Sequence, residues 1–115
     1  MEVRARAKHI GVSARKVRLV LEHLPGKRID EALTLLRFLP VPSARVVAKV
    51  VKSAAANAEN NYQLSPANLR IKAAYADEGR STKRHRARAR GRASPIVRRA
   101  SHITVVVEEE AQSGP

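Results

Sequence analysis

Between residues 79 and 100 the chain carries nine basic residues and no acidic one, and Arg84, Arg86, Arg88, Arg90 and Arg92 fall at every second position. A packed core cannot hold such a run, because an unpaired buried cation is strongly disfavoured. The segment must lie outside whatever core the chain builds, and its anionic partner must come from another molecule. Between the arginines sit His85, Ala87, Ala89 and Gly91. On an extended strand that alternation sets guanidinium groups on one side and a slim surface on the other. Arginine suits a polyanion because its planar fork grips phosphate through two N–H groups and stacks on bases.

Three other readings compete. Charge blocks of one sign are often disordered, but this one is internal and flanked by patterned strands, so order in an assembled state is expected. Arg and Ala also favour helices. Against a helix stand Gly79, Gly91, Pro95 and the lack of an apolar stripe. A membrane-active segment needs the same missing apolar face.

The flanks supply the frame. Leu69, Ile71, Ala73 and Tyr75 alternate with Arg70, Lys72, Ala74 and Ala76; Ile103, Val105 and Val107 alternate with His102, Thr104 and Val106. Two such strands joined by a basic connection read as one long antiparallel hairpin. Arms of about eight residues at roughly 3.3 Å each carry its tip about 26 Å outward. Near the N-terminus Val3, Ala5 and Ala7 alternate with Arg4, Arg6 and Lys8, the pattern of an edge strand with a basic face.

Three helices fill the interval. Ser13 offers the cap of the first, with Ala14, Val17, Leu21 and Leu24 on one face and Arg15, Lys16 and Arg18 away from it. Pro25-Gly26 stops it. Asp30 offers the cap of the second, whose stripe is Ala32, Leu33, Leu36 and Leu39 and whose end is marked by Pro40 and Pro42. Ser43 offers the cap of the third, which runs to about Asn60. It buries Val47, Val50, Val51, Ala54 and Ala58 and shows Arg45, Lys49 and Lys52 on a second side. Small residues at Ala54-Ala55-Ala56 admit either a neighbouring helix or an RNA backbone.

The expected fold is α+β: a three-stranded antiparallel sheet with three helices packed on it and a long projecting arginine-rich β-hairpin. It forms a single domain over residues 1–110, with the hairpin at about 77–101. Beyond the acidic end that starts at Glu108, residues 111–115 form a frayed tail.

Charge names the partner class. With nine of the 23 basic residues in the arginine-rich segment, the rest of the chain holds 14 against 10 acids, close to an ordinary balance. A formal net charge of +13 concentrates polyanions and makes binding salt-dependent. No helix-turn-helix or zinc-finger pattern appears. Three aromatics, Phe38, Tyr62 and Tyr75, are too few for a stacking platform of the single-strand type. Contacts then go mainly to phosphate and sugar, which read shape and fit folded RNA better than a DNA sequence.

Other classes find little support. There is no cysteine, hence no disulfide and no thiolate metal site. The carboxylates are scattered or terminal, and His9, His23, His85 and His102 lack ligand spacing, so no metal, cofactor or enzyme activity is expected. A ribonuclease built on His85 and His102 is the enzymatic alternative; a phosphate contact at His85 and strand packing at His102 is the simpler account. Asp77-Glu78 reads as a partner for nearby arginine. No run approaches the roughly 18 apolar residues of a membrane span, and no signal peptide is visible, which makes the cytoplasm the expected location. A free nucleic-acid chaperone shares the charge and the arm, and sedimentation of a lysate separates it from a fixed part of a particle.

The chain also has the wording of a known family. Lys83-Arg84, Arg88-Ala89-Arg90-Gly91-Arg92 and, nine residues on, Ser101-His102-Ile103-Thr104-Val105-Val106-Val107 resemble the bacterial large-subunit ribosomal protein 22 family. So do Ser13-Ala14-Arg15-Lys16-Val17-Arg18, Ala48-Lys49-Val50, Ser53-Ala54-Ala55-Ala56-Asn57-Ala58 and Ala73-Ala74-Tyr75-Ala76-Asp77-Glu78-Gly79. The resemblance implies a non-enzymatic component of the large ribosomal subunit in the cytoplasm, bound to large-subunit (23S-type) ribosomal RNA and needed in assembly. It further implies a hairpin lining the peptide exit tunnel, with Arg88, Ala89, Arg90 and Gly91 at the tip, beside large-subunit protein 4 and the passing nascent peptide. No homo-oligomer is implied. Arg80 and Ala87 stand where the family commonly has proline, and His85 where it has an apolar residue. Basic chemistry and resemblance together nominate Arg4, Arg6, Lys8, Arg15, Lys16, Arg18, Lys49, Lys52, Arg80, Lys83, Arg84, Arg86, Arg92, Arg98 and Arg99 as RNA contacts.

Overall fold

Alternation at the N-terminus does become a strand. β1 spans Glu2–Ile10, burying Val3 and Ala5 while Arg4, Arg6 and Lys8 stay exposed. A computed structural model describes residues 2–80, 82–87, 91 and 93–109. The Ser13 hydroxyl accepts from Lys16 N at 3.4 Å and opens α1, Ala14–Leu21, which buries Ala14, Val17, Val20 and Leu21. Past its end Gly26 takes φ +85, where a Cβ would be strained. That turn lets Gly26 N donate to Ile71 O and Lys27 O accept from Ile71 N, both at 2.8 Å.

Two helix starts differ from expectation. α2 spans Ile29–Phe38 with Arg28 at its N-cap and no capping side chain, so Asp30 sits inside the first turn. There its charge favours the helix through the macrodipole rather than through a cap. α3 spans Pro42–Tyr62, with Val41 at the cap and Pro42 at the first position, where the missing N–H costs nothing. Ser43 is therefore one residue inside the helix and buried, and Pro42 begins α3 rather than closing α2. α3 continues two residues beyond Asn60 and stops at Gln63, which adopts φ 56. Its buried side includes Val47, Val50, Val51, Ala54 and Ala58, as the periodicity indicates.

After a short 3₁₀ turn, Pro66–Asn68, come β2 (Leu69–Glu78), β3 (Thr82–Ala87), β4 (Ala93–Arg98) and β5 (Ser101–Glu109). β5 lies at the centre of an antiparallel sheet of order β1-β5-β2, and the helices cover one face. Ile103, Val105 and Val107 face them and are fully buried. Glu108 and Glu109 belong to β5, while the rest of the acidic end lies outside the described residues.

The register of β2 overturns part of the strand reading. Ile71 pairs with Val107 but Ala73 pairs with Val106, so Lys72 is an extra residue, a β-bulge. Side chains alternate with period two, so one inserted residue exchanges the faces. Leu69 and Ile71 point to the core before the bulge and Ala76 after it, while Tyr75 is 41% exposed. Tyr75 thus shares no face with Leu69 and Ile71.

Beyond the sheet, among the described residues, β3 and β4 pair only with each other, from Thr82 opposite Arg98 to Ala87 opposite Ala93. Gly79 N donates to Ala100 O at 2.9 Å and links this ladder to the end of the β2–β5 pair. The radius of gyration, 17.6 Å, exceeds the roughly 13 Å of a compact chain of this length.

Candidate nucleic-acid interface

The sheet is covered by helices on one side only, so the opposite side carries the polar half of each strand. On it Arg4 stands opposite Val106, and Arg6 opposite Thr104. Across β5 these rows continue to Ala73 and Tyr75. Thr104 and Val106 are only 4% and 5% exposed. What this face shows is therefore Arg4, Arg6 and Lys8 along one edge and Tyr75 and Asp77 along the other. At one end Lys72 reaches Glu2 across the central strand as an exposed ion pair. Its hydrogen bond and charge hold the Glu2 carboxyl below the usual carboxylate value and the Lys72 ammonium above its own.

Both sheet edges are tied down by side chains that take up edge carbonyls, which restrains pairing with foreign strands. Asn57 Nδ2 of α3 donates to Arg4 O at 3.3 Å. On the other edge Arg18 of α1 donates to Ala76 O from Nη2 at 2.8 Å and from Nε at 3.1 Å. Arg18, nominated with Arg15 and Lys16 as an RNA contact, rests its fork on β2 and is itself exposed. Arg15 and Lys16 remain exposed.

Arg6 also lines a small recess of about 190 Å³ between β1 and α3, together with Lys49 and Ser53. The N-terminal end of α1 meets the base of the β3–β4 ladder, where Ser13, Arg15, Glu78 and Arg99 line a recess of about 270 Å³. A larger groove, about 680 Å³, runs between α2 and α3, with Arg37, Arg45 and Lys52 around Leu33, Leu39, Pro40 and Val41. Neither Arg37 nor Arg45 stands among the nominated contacts. Arg45 is legible as part of the basic side of α3, whereas only the packing of α2 on α3 brings Arg37 beside it.

The remaining nominees fall as follows. Arg80 and Arg99 are exposed at the ladder's base. Lys83, Arg84 and Arg86 lie on β3 and Arg98 on β4. Gly91 is exposed at φ +71, a conformation that favours glycine. Arg88, Ala89, Arg90 and Arg92 lie outside the described residues. Asp77 and Glu78 are exposed on β2. Among the described residues no group of three or more His, Asp or Glu could hold a metal ion, and no helix is long and apolar enough to cross a membrane. The arrangement offers several separated clusters of exposed cations and, among the described residues, no convergent acid, base or nucleophile, a surface suited to many phosphates.

Comparison with known proteins gives the family. The family described as Ribosomal protein L22p/L17e matches residues 5–108. The large ribosomal subunit protein uL22 of Dehalococcoides mccartyi is 60% identical over 109 residues, 95% of this chain and all of its own length. The proteins of the same name from a Thermoanaerobacter species and from Clostridium novyi are 54% and 50% identical. They cover 96% of this chain in both cases, and 99% and 100% of their own lengths.

Proposed function

Since the chain belongs to the ribosomal protein L22p/L17e family, we propose that it is a structural, non-enzymatic component of the large ribosomal subunit in the cytoplasm. Its partners are large-subunit ribosomal RNA and neighbouring ribosomal proteins. The globular part anchors on RNA through Arg4, Arg6 and Lys8, through Arg15, Lys16 and Arg99, and through the α2–α3 groove with Arg37, Arg45 and Lys52. The β3–β4 ladder carries the arginine-rich segment away from the core to line the peptide exit tunnel. Arg88, Ala89, Arg90 and Gly91 then form the tip, beside large-subunit protein 4 and the nascent peptide. A protein holding RNA at several separated points also assists the subunit's assembly.

The observation that carries this reading is the distribution of cations over separate surfaces, around a core with no catalytic constellation. Phosphate contacts contribute modest and roughly additive shares of affinity, so a few lost at the tip leave most of the anchoring intact. Deleting residues 88–90 is expected to leave the protein's abundance in purified large subunits near normal while changing translational pausing or macrolide sensitivity. If the deletion blocks incorporation, the tip is an assembly anchor. If incorporation, pausing and sensitivity all stay unchanged, the tip does not border the tunnel. A protein that sediments mostly free of large subunits overturns the reading as a whole.

A further inference from the structure

The bulge at Lys72 turns Tyr75 out of the core-facing row and onto the open side of the sheet, where it stands in one row with Thr104 and Arg6. Tyr75 is 41% exposed, and the central strand between it and the β1 arginines contributes almost no surface of its own. Nothing in the packing of the core requires an aromatic ring here, since Ala76 fills the inward position beside it. Two strand spacings separate the Arg6 and Tyr75 backbones, about 10 Å. Over that span a tyrosine ring and a guanidinium can take the base and the phosphate of one nucleotide.

We propose that Tyr75 and Arg6, with Arg4 beside them, form a binding site for one unstacked nucleotide of single-stranded RNA. The base stacks on the Tyr75 ring and the phosphodiester lies on the β1 arginines. The site deepens the RNA-binding reading above and rests on it. A base inside a duplex is already stacked on both faces and cannot lie on the ring, whereas a looped-out or single-stranded base can. Arginines alone hold either form of RNA, so the tyrosine is what selects. Asp77, two residues along the same strand and opposite His102, disfavours a phosphate directly above it.

The chain has two tyrosines and no tryptophan, so Tyr62→Phe leaves Tyr75 as the sole strong emitter. The test titrates that variant, at low salt, with octauridylate and separately with an eight-base-pair RNA duplex. Octauridylate is expected to quench the Tyr75 emission and the duplex to leave it nearly unchanged, although both bind. Tyr75→Leu, which keeps an apolar strand residue without a π-face, is expected to weaken octauridylate binding about tenfold. The salt slope and the melting curve should stay the same. Tyr75→Phe should bind within about twofold of the parent, and Arg6→Ala should reduce the salt slope instead. Binding of both RNAs with no quenching, or a Tyr75→Leu variant that binds like the parent, overturns the stacking site and leaves the phosphate-anchoring reading standing. Failure of both RNAs to bind overturns the two together.

Discussion

Arg18 is where a surface cation and a structural one can be told apart. Its Nη2 and Nε both donate to Ala76 O, on the edge of the sheet. Hydrogen bonds from charged donors contribute about 1.5–3 kcal/mol each. Two donors share one oxygen here, the guanidinium is partly solvated, and water can reach the carbonyl once the arginine is gone. Arg18→Ala is therefore expected to cost about 1.5 kcal/mol, the low end of that range, which lowers Tm by about 6 °C for a domain of this size. Arg18→Lys should recover little, because a single ammonium does not reproduce the fork. Arg15→Ala, three residues away on the same helix, should change stability by less than about 0.5 kcal/mol. It should instead lower the RNA-binding salt slope by about 0.7–0.9, the share of one phosphate contact. Thermal melts by far-UV circular dichroism, paired with RNA titrations across salt, read both quantities. Equal melting of Arg18→Ala and Arg15→Ala, or an equal loss of salt slope, refutes the division of labour.

Val47 is fully buried on α3, and Val47→Ala should destabilise by about 2–3 kcal/mol through lost transfer energy and a residual cavity; an unchanged denaturation midpoint would show that this face is not packed. Among the described residues the buried Ser101 hydroxyl has no hydrogen-bond partner, so Ser101→Ala should raise stability by about 1 kcal/mol, and a lower midpoint would reveal an unseen partner. The Glu2 carboxyl is lowered from its ordinary 4.5 by Lys72. Its contribution is present above that value and is lost as pH falls through the folded pKa. The raised Lys72 contributes below its ordinary 10.5 and loses that as pH rises through its folded value. Glu2→Gln should thus lower Tm slightly between about pH 5 and 10 and converge with the parent in acid; a gap that is the same at every pH would refute the pairing.

Much of this molecule is written along the chain. The run of arginines without an apolar face points to a segment outside the sheet, and β3 and β4 form a ladder of their own. Ser13 signals the start of α1, and the valine and alanine spacing of α3 marks its buried side. Period two in β1 and β5 gives the inward rows of the sheet, because strands with one strongly apolar face have only one way to lie. Each of these follows from periodicity or from a residue excluded on energetic grounds, which are local properties.

Tertiary structure decided the rest. β2 alternates alanine with alanine over Ala73-Ala74 and Ala76, so either parity buries a similar surface, and only pairing with β5 places the bulge at Lys72 and exposes Tyr75. Asp30 and Ser43 resemble caps in sequence, yet Arg28 and Val41 hold the cap positions because chain entry to α2 and α3 is set by packing and by Pro42. Arg18 looks like Arg15 to any one-dimensional reading, and what separates them is a carbonyl 58 residues away. Arg37 joins Arg45 and Lys52 only because α2 lies along α3. A side chain's role depends on what three dimensions put within reach of it, and periodicity along a chain carries no record of that.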